Sequence, residues 1–168
     1  GICNKAKEYS IDDSSDRINH LYIRKEKGPE VGFKVYQENE WKLDNQDIKQ
    51  MSMFTKEKLA NIDYQSIIYK RRENFCYMHS LLKYTNVLQI PEITSFVSPL
   101  VYPYMPESRD DLRTKLIENR IYVAKYWPNV KPLPTFELEV DFADRIIPIP
   151  IDQRYDKYIL KELVTYII

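Results

Sequence analysis

Residues 108–128 read SRDDLRTKLIENRIYVAKYWP, and the way this stretch folds decides the architecture around it. Ser108 predicts a helix N-cap, and Asp111, three residues on, closes a capping box in the place that Glu or Gln more often takes. Leu112, Leu116 and Ile117 then form one apolar face at helical spacing. Asn119 predicts the stop, because Asn tolerates the left-handed conformation that helix ends often need. The next seven residues, IYVAKYW, are rich in β-branched and aromatic side chains and end at Pro128, which predicts a strand. Just upstream, residues 99–105, PLVYPYM, predict another strand, at an edge because of its prolines. The unit is strand, short helix, strand.

Working outward, residues 129–134 read as a proline-rich loop and 140–145 as a short helix. IIPIPI at 146–151 predicts a third short strand, and residues 152–155 a turn. A last helix starts at Asp156, with Ile159, Leu160, Leu163, Val164 and Ile167 as its buried face. Upstream, Asp63 opens the longest regular segment. Tyr64, Ile67, Ile68, Phe75, Met78, Leu81 and Leu82 recur there at helical spacing through about Tyr84. Residues 88–97 form a proline-containing connection. Residues 63–168 therefore predict an α+β, two-layer small domain: a short, mostly antiparallel sheet covered by helices on one face. Residues 1–62 predict linker helices that precede it. They comprise a frayed polar start over 1–15, a helix over 16–23 with Ile18, Leu21 and Tyr22 on one side, a break at Gly28-Pro29, and a second helix within 31–43. Thr55 predicts a further cap, its box incomplete because Lys58 stands where Glu belongs.

Composition narrows the function classes. The 168 residues suit one domain or one and a fraction, and 43% hydrophobic content is enough for a core. Three glycines among 168 residues argue against a dinucleotide fold, which needs glycine for close phosphate approach. The 25 basic and 25 acidic residues cancel, so nothing draws the chain generally to nucleic acid or to an anionic membrane; both drop as partners. Cys3 and Cys76 have neither CxxC nor metal spacing, which predicts a reducing, cytoplasmic setting, with Cys76 a small buried hydrophobe. The first residues show no signal-peptide pattern, and no apolar run of the sequence is long enough to span a bilayer, so neither secretion nor membrane insertion is expected. A first residue of Gly rather than Met predicts a removed tag or a piece of a longer protein. His20 and His79 lack ligand spacing, and His79 reads as a packing or surface residue. Metal sites, paired carboxylates, a P-loop and a nucleophile elbow are all missing from the pattern.

Four local patterns occur in order: Arg71-Arg72-Glu73-Asn74-Phe75 on the long helix; Arg109-Asp110 with Leu112, closing at Asn119-Arg120-Ile121; Tyr122 to Pro128; and Pro148-Ile149-Pro150-Ile151-Asp152-Gln153-Arg154-Tyr155. Together, over residues 63–168, they resemble the C-terminal small domain of pyridoxal-phosphate-dependent aminotransferases of the sugar-aminotransferase (DegT/DnrJ/StrS-like) kind, fold type I. Where that family often has His-Tyr, this chain has Lys125-Tyr126. The resemblance implies a full-length parent that binds pyridoxal phosphate in a preceding large domain bearing the Schiff-base lysine. It implies a homodimer and a small-molecule substrate, such as a nucleotide-linked keto-sugar of surface-polysaccharide synthesis. This chain alone is expected to bind no cofactor and to carry no catalytic residue; it would close the cleft and orient the substrate.

Tyr126, Trp127, Gln153, Arg154 and Tyr155 are the substrate-contact candidates, on strand ends that the family turns toward the cleft. Arg71, Arg72 and Asn74 are candidates to face substrate or the large domain. Each has a plainer structural alternative: the α-helical arginines pair with Glu73 or Asp63, the two aromatics pack at an edge, and Arg154 pairs with Asp152 or Asp156. A second functional reading is a stand-alone, non-catalytic interaction or dimerisation module that kept the fold.

Overall fold

The computed structural model describes residues 8–94, 96–108, 110–128 and 137–168. The chain divides into two compact units, Gly1–Ile62 and Asp63–Ile168.

In the first unit a 3-10 turn, Ser15–Ile18, leads into α1 (Asn19–Lys27). Gly28, at φ 96°, caps the end of α1 and the start of α2 (Pro29–Trp41). Glycine serves here because that backbone conformation penalises a Cβ, and Pro29 follows at the first helical position, where no N–H is needed. The chain reverses, so that α1 and α2 form an antiparallel hairpin. Gly32 lies on Arg24, where an added Cβ would stand 2.6 Å from the Arg24 Cβ. The Asn39 amide donates to Asn19 Oδ1 at 2.9 Å. Residues 10–12, within the stretch read as a frayed start, are tied down more than its polarity predicts. Ile11 bridges Gln50, with Asp12 N–H on Gln50 O and Gln50 N–H on Ser10 O, and Arg17 pairs with Asp12. For α3 (Met53–Ala60) the cap is Ser52, whose Oγ accepts the Thr55 N–H at 3.1 Å, and not Thr55.

The second unit is α+β. It comprises α4 (Tyr64–Leu82), β1 (Val101–Tyr104), α5 (Leu112–Glu118), α6 (Glu137–Arg145), β2 (Ile147–Pro150) and α7 (Lys157–Val164). Asp63, Asp111 and Asp156 cap α4, α5 and α7 by accepting the N–H three residues on. Asp111 thus takes the role that the sequence assigned to Ser108, whose Oγ accepts from Asp110 N–H instead. The end of α5 also differs by one residue. Asn119 keeps φ −88°, and Arg120 adopts φ 60°. Arg120 N–H reaches Ile117 O and Ile121 N–H reaches Leu116 O, a Schellman closure.

β1 and β2 pair antiparallel, Val101↔Pro150, Tyr102↔Ile149, Pro103↔Pro148 and Tyr104↔Ile147. Three of these eight residues are prolines and have no N–H to give. In an antiparallel ladder, alternate pairs exchange N–H···O bonds, so the ladder is carried by Tyr102↔Ile149 and Tyr104↔Ile147. Val101, Pro103, Pro148 and Pro150 point their backbone polar groups outward. Pro103 O accordingly accepts from the Asn86 side-chain amide at 2.9 Å, and the Asn86 oxygen takes Met105 N–H.

That arrangement corrects the sequence reading of residues 121–127, which form no strand. A third strand needs donors on an outer edge of the sheet, and prolines at 103, 148 and 150 leave almost none. The carbonyls of Val123 and Ala124 accept instead from the Arg113 guanidinium, which also reaches Ile146 O at 2.9 Å. The predicted β-α-β-α-β-α order is therefore one strand short among the described residues. The proline-rich loop at 129–134 lies outside the described residues.

The core gathers Phe75, Met78 and Leu82 of α4, the strand residues Tyr102, Tyr104, Ile147 and Ile149, Leu112 and Leu116 of α5, Ile151, and Leu160, Leu163 and Val164 of α7. Both buried tyrosines satisfy their hydroxyls: Tyr104 donates to Thr85 Oγ1, and Tyr102 lies 3.2 Å from His79 Nδ1 with its ring edge-on to Phe75. Tyr64 and Ile159, placed by spacing on buried faces, are exposed. So is Cys76, which points away from the apolar stripe of α4. Among the described residues no helix is long and apolar enough to cross a membrane.

Candidate functional site

Three of the nominated residues follow β2 on one turn. Asp152 anchors it: Oδ1 accepts the Arg154 backbone N–H at 3.0 Å, and the carboxylate holds the Arg154 guanidinium through two bonds of 2.8 Å. This is the plainer alternative for Arg154, a fork closed on its own turn. The pairing holds the Asp152 carboxyl below the usual carboxylate range and raises the arginine. The Arg154 side chain is still 75% exposed, so the fork is open to solvent on its outer side. Gln153 Oε1 accepts from Arg71 Nε at 3.1 Å. Tyr155 is half-buried, and burial pushes its phenol up.

The residue that organises this turn is Asn74. It is fully buried on α4, and its amide nitrogen donates to Ile151 O, Asp152 O and Tyr155 O at 3.1, 3.1 and 3.0 Å. Its Oδ1 is buried with no hydrogen-bond partner. One side chain thus clamps the whole exit of β2 to the long helix. Beside it, Glu73 bridges Lys70 and Lys157 at 3.1 and 2.9 Å, and the Lys157 hydrogen bond, with that of Lys70, lowers its carboxyl. The sequence paired Arg71 and Arg72 with Glu73 or Asp63. In the structure Arg71 turns to Gln153, and Arg72 holds the carbonyls of Thr94 and Val97.

Tyr126 and Trp127 lie elsewhere. Their rings meet edge-on at 5.7 Å, Trp127 has φ 52° and is 60% exposed. Lys125 just before them pairs with Asp144 of α6 at 2.8 Å. Asp144 precedes β2, whereas Gln153, Arg154 and Tyr155 follow it, so the two nominated groups belong to opposite ends of that strand. They are not two neighbouring strand ends.

At the Asp144 end is a cleft of about 380 Å³, lined by residues that include Ser108, Asp110, Arg113, Lys125, Asp144 and Arg145. None of the five nominated residues lines it. Arg113 is partly buried there, and desolvation lowers it. Arg145 pairs with Asp141 at 3.0 Å and donates to Pro106 O and Glu107 O. Both arginines therefore direct most of their donors to the chain's own carbonyls and to Asp141, while the buried Arg145 Nε has no hydrogen-bond partner. The signal in the sequence for these two was an arginine inside each short amphipathic helix, which spacing alone reads as solvated surface. Arg109, part of the second family-like pattern, lies outside the described residues. The cleft's lysine does not fit a pyridoxal phosphate anchor: Lys125 is a half-exposed ammonium held by a carboxylate, whereas such an anchor works as a desolvated neutral amine.

Comparisons with protein-family models, with curated proteins and with solved structures find no match to this chain.

Proposed function

We propose that residues 63–168 act as the small, substrate-orienting domain of a pyridoxal-phosphate-dependent aminotransferase-like protein, and that a large domain of the same parent supplies the cofactor lysine. In that role the chain carries no catalytic residue. Arg71 with the turn Asp152 to Tyr155 would form one wall against the substrate, a keto-sugar attached to a nucleotide, while glutamate or a similar amino acid gives the amino group. The observation that supports this reading is the bonding of two of its motif stretches. Asn74 and Arg71 of the RRENF stretch hold the IDQRY stretch through four hydrogen bonds. Residues that make the sequence resemblance thereby also fix one rigid, polar turn on a buried hub, which is how a positioning element is built.

The reading frame upstream of Gly1 tests it directly. A lysine-bearing large domain in frame is expected, and the extended protein should take up pyridoxal phosphate, with its visible absorbance band, and transfer an amino group to a nucleotide-linked keto-sugar. An in-frame stop codon immediately upstream, or an extended protein that takes up no cofactor, overturns the proposal.

A further inference from the structure

The first unit leaves its apolar side chains outside. Its buried residues, among those described, are Gly32, Asn39 and Ser52, while Leu21, Tyr22, Phe33, Tyr36 and Trp41 are each at least 40% exposed. On the α1–α2 hairpin, His20 meets Tyr36 edge-on at 5.4 Å and Tyr36 stacks with Phe33 at 6.2 Å, so these rings make a row along one side. A helix pair with its apolar residues outward offsets little of the entropy lost on ordering it, and exposed rows of this kind mark contact surfaces.

Charge indicates what covers it. The turn end of the hairpin carries Arg24, Lys25 and Lys27, with a small positive surplus over Glu26 and Glu30. The open end carries Asp16, Glu38, Glu40 and Asp44, all exposed. Three cations lie there: Arg17 and Lys49 both pair with Asp12, and Lys42, bonded to the neutral Asn39 side chain, keeps its charge, so the acidic residues still outnumber the cations. The hairpin is thus positive at one end and negative at the other. We propose that a second copy of this chain lies antiparallel on this face, closing the two hairpins into a four-helix bundle with two-fold symmetry. Antiparallel pairing sets the turn end of each copy on the open end of the other, and symmetry makes that contact twice. The aromatic rows meet in the middle, as the core of a bundle requires. The inference rests on the hairpin alone and is independent of the aminotransferase reading.

Charge reversal on the full chain tests it by sedimentation over a concentration series. One variant carries Lys25→Glu with Lys27→Glu, the other Glu38→Lys with Glu40→Lys. The parent chain is expected to dimerise, and each variant alone to dimerise at least about tenfold more weakly, because like charges then face each other. Mixed in equal amounts, the two variants should recover the parent affinity, since the heterodimer has opposite charges at both ends. If either variant loses helical circular dichroism, the parent's own affinity must weaken with added salt. A parent that stays monomeric throughout, a dimer indifferent to reversal and salt, or variants that do not rescue each other would overturn the proposal.

Discussion

Removing the Asn74 amide should unfasten the exit of β2. Its two protons serve three carbonyls at 3.0–3.1 Å, one of them in fully buried surroundings and two with partial access to water. Asn74→Ala strands the buried Ile151 carbonyl at about 1–3 kcal/mol and gives up about 0.5–1.5 kcal/mol at each half-buried partner. The expected loss is therefore about 2–6 kcal/mol, a large share of a small domain's stability. Asn74→Asp is the sharper test because it is nearly isosteric. A carboxylate facing three carbonyls is repelled by all of them and finds no donor, so its pKa in the folded state must rise. A raised folded pKa places the penalty at high pH: the variant should be least stable near neutrality and recover as pH falls toward and below the ordinary aspartate value of about 3.9. A protonated carboxyl can again donate one bond. Urea unfolding followed by circular dichroism, at pH 7 and at pH 4, measures both variants. If each stays within about 0.5 kcal/mol of the parent at pH 7, the range of an ordinary surface change, the clamp has no energetic meaning and the reasoning fails.

Arg154→Ala should lower stability by no more than about 1 kcal/mol, because the guanidinium side of the fork is largely solvent-exposed and Asp152 keeps the Arg154 backbone N–H; thermal unfolding decides, and a larger loss would mean that the turn depends on the guanidinium. Asp152→Asn should flatten the acid limb of the stability profile. The carboxyl lies below its ordinary range in the folded state, so its contribution is complete above about pH 3.9 and disappears as pH falls through the depressed value; parent and variant should then converge in acid. Arg113→Met takes the donor from Val123, Ala124 and Ile146, and trypsin should cut after Lys125 about tenfold faster, the equivalent of about 1.4 kcal/mol in local opening; an unchanged rate would show that the segment is held by other means. In the unaltered chain, limited proteolysis should nick within residues 8–52 before the core of the second unit, since no large apolar side chain is buried there.

Much of the second unit was legible from spacing. The long helix opening at Asp63, the strand around Tyr102 and Tyr104, the strand around Ile147 and Ile149, and the helix from Asp156 all declare themselves by apolar period and cap. Residues 121–127 misled because strand propensity describes a side chain's fit to a pleated surface and says nothing about whether a neighbour has N–H groups to share. The information was in the sequence, in the prolines of other strands, yet it acts only through register. The turn at 152–155 was read as a polar turn near a cleft. What spacing could not show is that Asp152 would close the fork on Arg154 and that Asn74, distant in sequence, would lie beneath it. Buried polar side chains on a helix are rare enough that an Asn beside Phe75, on the apolar side of α4, was the one available hint.

The proline-gapped pair of strands has a consequence for the chain in crowded solution. Exposed strand edges are the places where proteins recruit one another into growing, cross-linked β-assemblies. Here Pro103, Pro148 and Pro150 give no N–H at the outward positions, Pro103 O is already taken by Asn86 and Pro148 is buried, so an incoming peptide strand finds scarcely anything to pair with. The same feature that keeps residues 121–127 out of the sheet should keep foreign chains out as well. Restoring donors with Pro103→Val and Pro150→Val would then trade this immunity for stickiness, seen as fibrils that bind an amyloid dye where the parent stays clear.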